Sequence, residues 1–222
     1  IRLNKEYSAL FDRTFADLLQ SLNEAHIHII NEQELTTDQE DEVLSFFMDK
    51  INGITNPIFI NSPTFRPEQH LKESLYLVVV LWHEQGEEEL AHDVALLEVP
   101  TKELGRFLRL RDKDGESYLM FLDDVLRYCL PYIFIGREYA QYEAYTFKFT
   151  KDAEFELEQD LRSSVIEMVS RGVKRRGRGE AVRVVYDEAL SPEILRRLSD
   201  MAELNYRDMR IGAGRYHNMR DL

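Results

Sequence analysis

The 222 residues carry 28 Lys+Arg against 41 Asp+Glu, a formal net charge of −13, with 44% hydrophobic and 11% aromatic residues. That apolar content suits a packed core and excludes a disordered or low-complexity chain, while the acidic balance argues against general nucleic-acid binding. The single cysteine, Cys129, excludes an internal disulfide framework and sits among Leu126, Tyr128 and Leu130, where a packed thiol is expected.

In chain order, Leu3, Tyr7, Leu10, Phe11, Phe15, Leu18, Leu19 and Leu22 recur at spacings of three and four, which predicts an amphipathic helix over about 2–25. Ile27, Ile29 and Ile30 form a short β-like run. Thr37 followed by Glu40 has the spacing of a capping box and predicts a helix over about 38–51, ended by Gly53. The central stretch is strand-rich: 57–60, 75–82, 93–99, 107–110 and 118–122, separated by clusters such as Asp112-Lys113-Asp114-Gly115. Connections this short favour antiparallel neighbours. Leu122-Asp123-Asp124 opens a helix that Pro131 breaks or bends. Tyr145, Phe147 and Phe149 alternate with Thr146, Lys148 and Thr150, as in a strand with one wet face.

Asp152 is an N-cap candidate for a helix carrying Phe155 to Val169 and stopped by Gly172; 181–186 returns as a strand; Ser191-Pro192 starts a helix to about 204. The sum is an α+β fold, a mainly antiparallel sheet flanked by helices. The apolar run from Leu75 to Trp82 is far shorter than the ~20 residues of a membrane span, so no transmembrane segment is expected. The start at Ile1 without a methionine and the stop at Leu222 inside a patterned segment read as those of a fragment.

Catalytic patterns are absent. His26 and His28 share a face if they lie on a strand, but no companion ligands recur at metal-binding spacing, and neither Cys-x-x-Cys nor His-Glu-x-x-His occurs. No P-loop, G-x-G-x-x-G or G-x-S-x-G motif is present, and nothing singles out a pair among the many carboxylates. The charge, however, is uneven. From Asp160 to Leu222 there are 13 Lys+Arg against 10 Asp+Glu, leaving −16 on the rest of the chain. Lys174, Arg175 and Arg176 form one basic cluster. Arg207, Arg210 and Arg215 with His217 form another, around Gly212 and Gly214. Arginine forks match phosphate oxygens and nearby glycines admit close backbone approach, so these seven residues are the candidate polyanion contacts. The alternative is that Tyr216 and His217 are structural and the arginines pair with Asp208 and Asp221.

Four segments in order carry a family likeness: Phe121 to Cys129, Thr150 to Leu157, Val182 to Tyr186, and Gly214-Arg215-Tyr216-His217-Asn218. Together they resemble the middle, or head, domain of the bacterial polyphosphate kinases that pass through a phosphohistidine. Lys151 stands where that family commonly has arginine, and Ala213 where glycine is common.

The resemblance implies a parent enzyme that moves the terminal phosphate of ATP, with magnesium, onto a histidine and then onto polyphosphate. It implies 1–25 as a connecting helix from a missing N-terminal domain, 26–210 as the middle domain, and 211–222 as the start of a link to missing catalytic domains. The fragment itself is then a non-catalytic scaffold and dimerisation module, with no cofactor of its own and no catalytic residue. Its implied partners are its own flanking domains, a second copy and polyphosphate. The implied location is cytoplasmic, or peripheral at the inner membrane. A polyanion-binding module without a dimerisation role is the alternative.

Overall fold

The computed structural model describes residues 2–65, 73–83, 92–151, 182–201 and 209–216. Helix α1 (Arg2–Glu24) leads into β1 (Ile27–Ile30), as the apolar periodicity predicts. The N-cap of helix α2 (Thr37–Phe46) lies one residue earlier than expected, at Thr36 rather than Thr37, and Gln39 Oε1 accepts from the Thr36 backbone N–H at 3.0 Å. The helix widens at its end into a π-helical turn, Phe47–Ile51, where Asn52 N–H reaches Phe47 O at 2.8 Å. Gly53, at φ 96°, then reverses the chain.

Strands β2 (Ile58–Phe59), β3 (Ser74–His83) and β4 (His92–Glu98) follow, then a single helical turn α3 (Thr101–Leu104), which periodicity did not suggest. Next come β5 (Phe107–Lys113), β6 (Glu116–Phe121), α4 (Leu122–Tyr128) and α5 (Leu130–Ile133). The break between the two helices falls at Cys129, two residues before Pro131. The proline itself sits in the first turn of α5, where a missing N–H costs nothing. Strand β7 (Tyr139–Lys151), β8 (Val182–Asp187), α6 (Pro192–Met201) and β9 (Met209–Ala213) complete the described elements. Ser191 Oγ accepts from Ile194 N–H at 3.3 Å, the expected cap of α6. The helix predicted to begin at Asp152 lies outside the described residues.

The strands form two sheets. One has the order β1-β6-β5, with β1 parallel and β5 antiparallel to β6; the other runs β2-β4-β3-β7-β8-β9, antiparallel throughout except for β8–β9. The fold is therefore α+β, with mostly antiparallel sheets flanked by helices.

Alternate residues of β3 enter two different cores, because successive side chains of a strand point to opposite faces. Leu75, Leu77, Val79 and Leu81 join Val43, Phe47, Leu126 and Cys129 beneath the helices and the smaller sheet. Tyr76, Val78 and Val80 join Phe147, Val184, Ile194 and Leu198 beneath α6. With both faces covered, the wet face expected for β7 does not exist at Thr146, which is wholly buried. Strand β9 also spans the expected domain boundary at 210/211: Arg210 to Ala213 are paired in register with Val184 to Asp187.

Candidate functional site

Strand β6 runs straight into α4 through Phe121, an extended residue that serves as the helix N-cap. This places Asp123 and Asp124 in the first turn of α4, both fully buried, and Arg127 one turn later on the same side. Arg127 spends all three of its nitrogens. Nη1 donates to Asp124 Oδ1 at 2.7 Å, Nη2 to Thr146 Oγ1 at 2.7 Å, and Nε to the Ala144 carbonyl at 3.2 Å. Asp123 Oδ2 lies 3.4 Å from Arg106 Nη2 and 3.7 Å from Arg127 Nη1. Burial pushes the Asp123 carboxyl above its ordinary range, against the pull of Arg106 and Arg127.

The segment after β9 closes over this cluster. Thr146 Oγ1 donates to the Arg215 carbonyl at 2.8 Å, Arg215 Nη2 donates to Asp124 Oδ1 at 2.7 Å and also to Glu32 Oε2, and Tyr216 donates its hydroxyl to Asp124 Oδ2 at 2.6 Å. Burial works against the Arg215 charge, but the Asp124 and Glu32 carboxylates outweigh it and hold the guanidinium firmly protonated. The Tyr216 hydroxyl is raised well above the usual phenol range, first by burial and then by the Asp124 charge. Its ring stacks on Phe121 with centroids 4.7 Å apart and meets Phe15 of α1 at 5.8 Å. Three arginines thus face three carboxylates, from four separate stretches of chain. Because every charge has an opposite partner, the cluster holds the residues around 215 against α1, α4 and β7.

Of the seven expected polyanion contacts, Arg210 and Arg215 fall within the described residues. Arg210 is exposed on β9, and Arg215 is bound to Asp124 and Glu32; the Asp208 and Asp221 considered from sequence lie outside the described residues. Lys174, Arg175, Arg176, Arg207 and His217 lie outside the described residues. Sequence reading missed Asp123, Asp124, Arg106, Arg127 and Glu32. The available signal was two adjacent acids and an arginine at i+3 and i+4 inside an otherwise apolar helix, a pattern that demands internal pairing once the helix is buried. Cys129 is buried as expected, and burial pushes its thiol up to about 12.

His26 and His28 do meet a carboxylate, Glu116, which lies across the smaller sheet. Even so, among the described residues no group of three or more His, Cys, Asp and Glu is arranged to hold a metal ion. Nor is any helix among them long and apolar enough to cross a membrane. A cavity of about 720 Å³ lies between α2 and β5, bordered by Asp41, Glu42 and Asp49 on one side and Arg109 and Arg111 on the other.

Comparison with known proteins places this arrangement. The family model described as the polyphosphate kinase middle domain matches residues 38–222. The chain is 33% identical over 216 residues to a polyphosphate kinase of Yersinia pestis, covering 96% of this chain and 31% of that protein. It is 30% identical over 218 residues to that of Escherichia coli strain K12, covering 96% and 30%. The crystal structure of a polyphosphate kinase from Porphyromonas gingivalis superposes with a TM-score of 0.73 at 25% identity, covering 97% of this chain and 30% of that one. The chain thus spans about a third of the length of these relatives.

Proposed function

The chain belongs to the polyphosphate kinase family, as its middle domain, and we propose that its parent transfers the terminal phosphate of ATP to polyphosphate through a phosphohistidine, with this stretch as a non-catalytic scaffold. The middle-domain match over 38–222 carries the proposal. It is supported by the cluster around Asp124, whose arginines and carboxylates are spent on one another. In this reading ATP and magnesium are held by other parts of the parent. We place the parent in the cytoplasm, or peripherally at the inner membrane.

Two roles are proposed for the scaffold: contact with a second copy, and a basic C-terminal third that helps line the polyphosphate path. The charge asymmetry favours the second independently of the first, since 160–222 carries +3 against −16 elsewhere. Sedimentation of the chain over a range of concentrations tests the first role, and a strict monomer at high concentration removes it. Polyphosphate binding at low salt tests the second. Incubation with radiolabelled ATP tests the scaffold reading itself: no acid-labile label is expected, and a labelled histidine in this chain overturns it.

A further inference from the structure

At the joint between α1 and β1, a non-glycine residue, His26, takes up a φ of 61°. Around it, two histidines meet on one carboxylate of the neighbouring strand β6. His26 Nδ1 lies 2.8 Å from Glu116 Oε1, and His28 Nε2 lies 2.5 Å from Glu116 Oε2. The second nitrogen of His28, Nδ1, lies 3.0 Å from Asn23 Oδ1 in the last turn of α1. The His28 ring also stacks on Tyr118, with centroids 5.2 Å apart.

Both nitrogens of His28 therefore face oxygen acceptors. Only the imidazolium can donate on both sides; a neutral ring has one N–H and one lone pair. The neutral ring keeps both bonds only if the Asn23 amide turns over and presents its NH₂ group, and it then gives up the charged partner of Glu116.

We propose that Asn23, His28, Glu116 and His26 form a pH-responsive latch, in which protonated His28 ties the last turn of α1 to β6 and deprotonation loosens that tie. Imidazole changes charge between about pH 5 and 8, so the latch responds in the physiological range. The Glu116 carboxyl is held below its ordinary value by hydrogen bonds from His28 and then His26, which favours its charged form opposite the two rings. Beside the latch lie Glu24 in the last turn of α1, Tyr118 on β6 and Lys113 on β5. Lys113 is the cross-strand partner of Glu116, and it approaches Asp38 of α2 to 3.6 Å.

The latch acts on a lever. Further along α1, Ser8 Oγ donates to the Gly212 carbonyl at 3.3 Å and Phe15 packs on Phe121 and Tyr216. Loosening the end of α1 therefore bears on the segment that closes over Asp124.

Amide hydrogen exchange on the 222-residue chain tests this, at pH 6 and pH 8 after correction for intrinsic rates. Protection in 22–30 is expected to fall about two- to fivefold on going to pH 8, the range a part-exposed ion pair supplies. Protection in β3 should hold. Glu116→Gln should abolish the difference. Asn23→Asp, which fixes an acceptor opposite Nδ1, should preserve protection at pH 8. Equal wild-type protection at both pH values, or an unchanged difference in Glu116→Gln, overturns the proposal.

Discussion

Tyr216 donates its hydroxyl to Asp124 Oδ2 across 2.6 Å, which pins the segment following β9 to the first turn of α4. The same carboxylate accepts from Arg127 and Arg215 through its other oxygen, so one buried aspartate orients three donors.

Asp124→Ala should therefore be among the most destabilising single changes in the chain. It leaves Arg127 buried without its main counter-ion, and breaking one side of a buried pair costs about 3–5 kcal/mol. Tyr216→Phe keeps the stack on Phe121 and removes one hydrogen bond to a charged group, so about 1.5–3 kcal/mol is expected. Urea unfolding of both variants checks the order.

Arg215 and Arg210 should separate. Arg215→Ala removes two carboxylate contacts and should lower the unfolding midpoint clearly more than Arg210→Ala, whose side chain is exposed. Arg215→Lys keeps the charge but lacks the planar fork, and should fall between. If Arg215→Ala is as stable as wild type, the cluster does not hold this segment.

Polyphosphate binding, measured by filter retention, should weaken linearly in logarithm with the logarithm of salt concentration. Replacing Lys174, Arg175 and Arg176 together by Ala should reduce that slope by about 2, if each neutralises one phosphate as on a single-stranded polyanion. An unchanged slope places the polyanion elsewhere.

Cys129 should resist thiol reagents in the native state. With its thiol pushed up to about 12 by burial, reaction at pH 8 should be slower than in urea by on the order of a thousandfold. Native labelling as fast as denatured labelling would show that the α4–α5 break opens readily.

The acid limb of stability should depend on Glu116. Its carboxyl is lower in the folded chain than its ordinary 4.5, so its contribution is present above that value and is lost as pH falls through the folded one. Urea midpoints between pH 3 and pH 6 should show a shallower decline in Glu116→Gln than in wild type.

Much of the fold was legible in local pattern. Helix α1, strands β3 and β4, the β5–β6 hairpin and the start of α6 lie where periodicity and capping residues predict them, since each depends on neighbours within a turn or a strand length. Less was legible where partners are distant. Thr146 looked like a solvent-facing strand residue and is buried, because α4 supplies Arg127 as its partner from 19 residues away. The stretch from 211, expected as the start of a link, instead continues strand β9, which pairs in parallel with β8.

The sequence by itself determined the α+β character, the resemblance to a polyphosphate kinase middle domain, and the basic third where a polyanion would be sought. Only the tertiary structure decided what the charged residues near 215 bond to. Arg215 meets Asp124 and Glu32, which are 91 and 183 residues away, and Glu116 meets His26 and His28 from about 90. Charge pairing depends on distance in space and on exclusion of water. Neither is written in the spacing of residues along the chain.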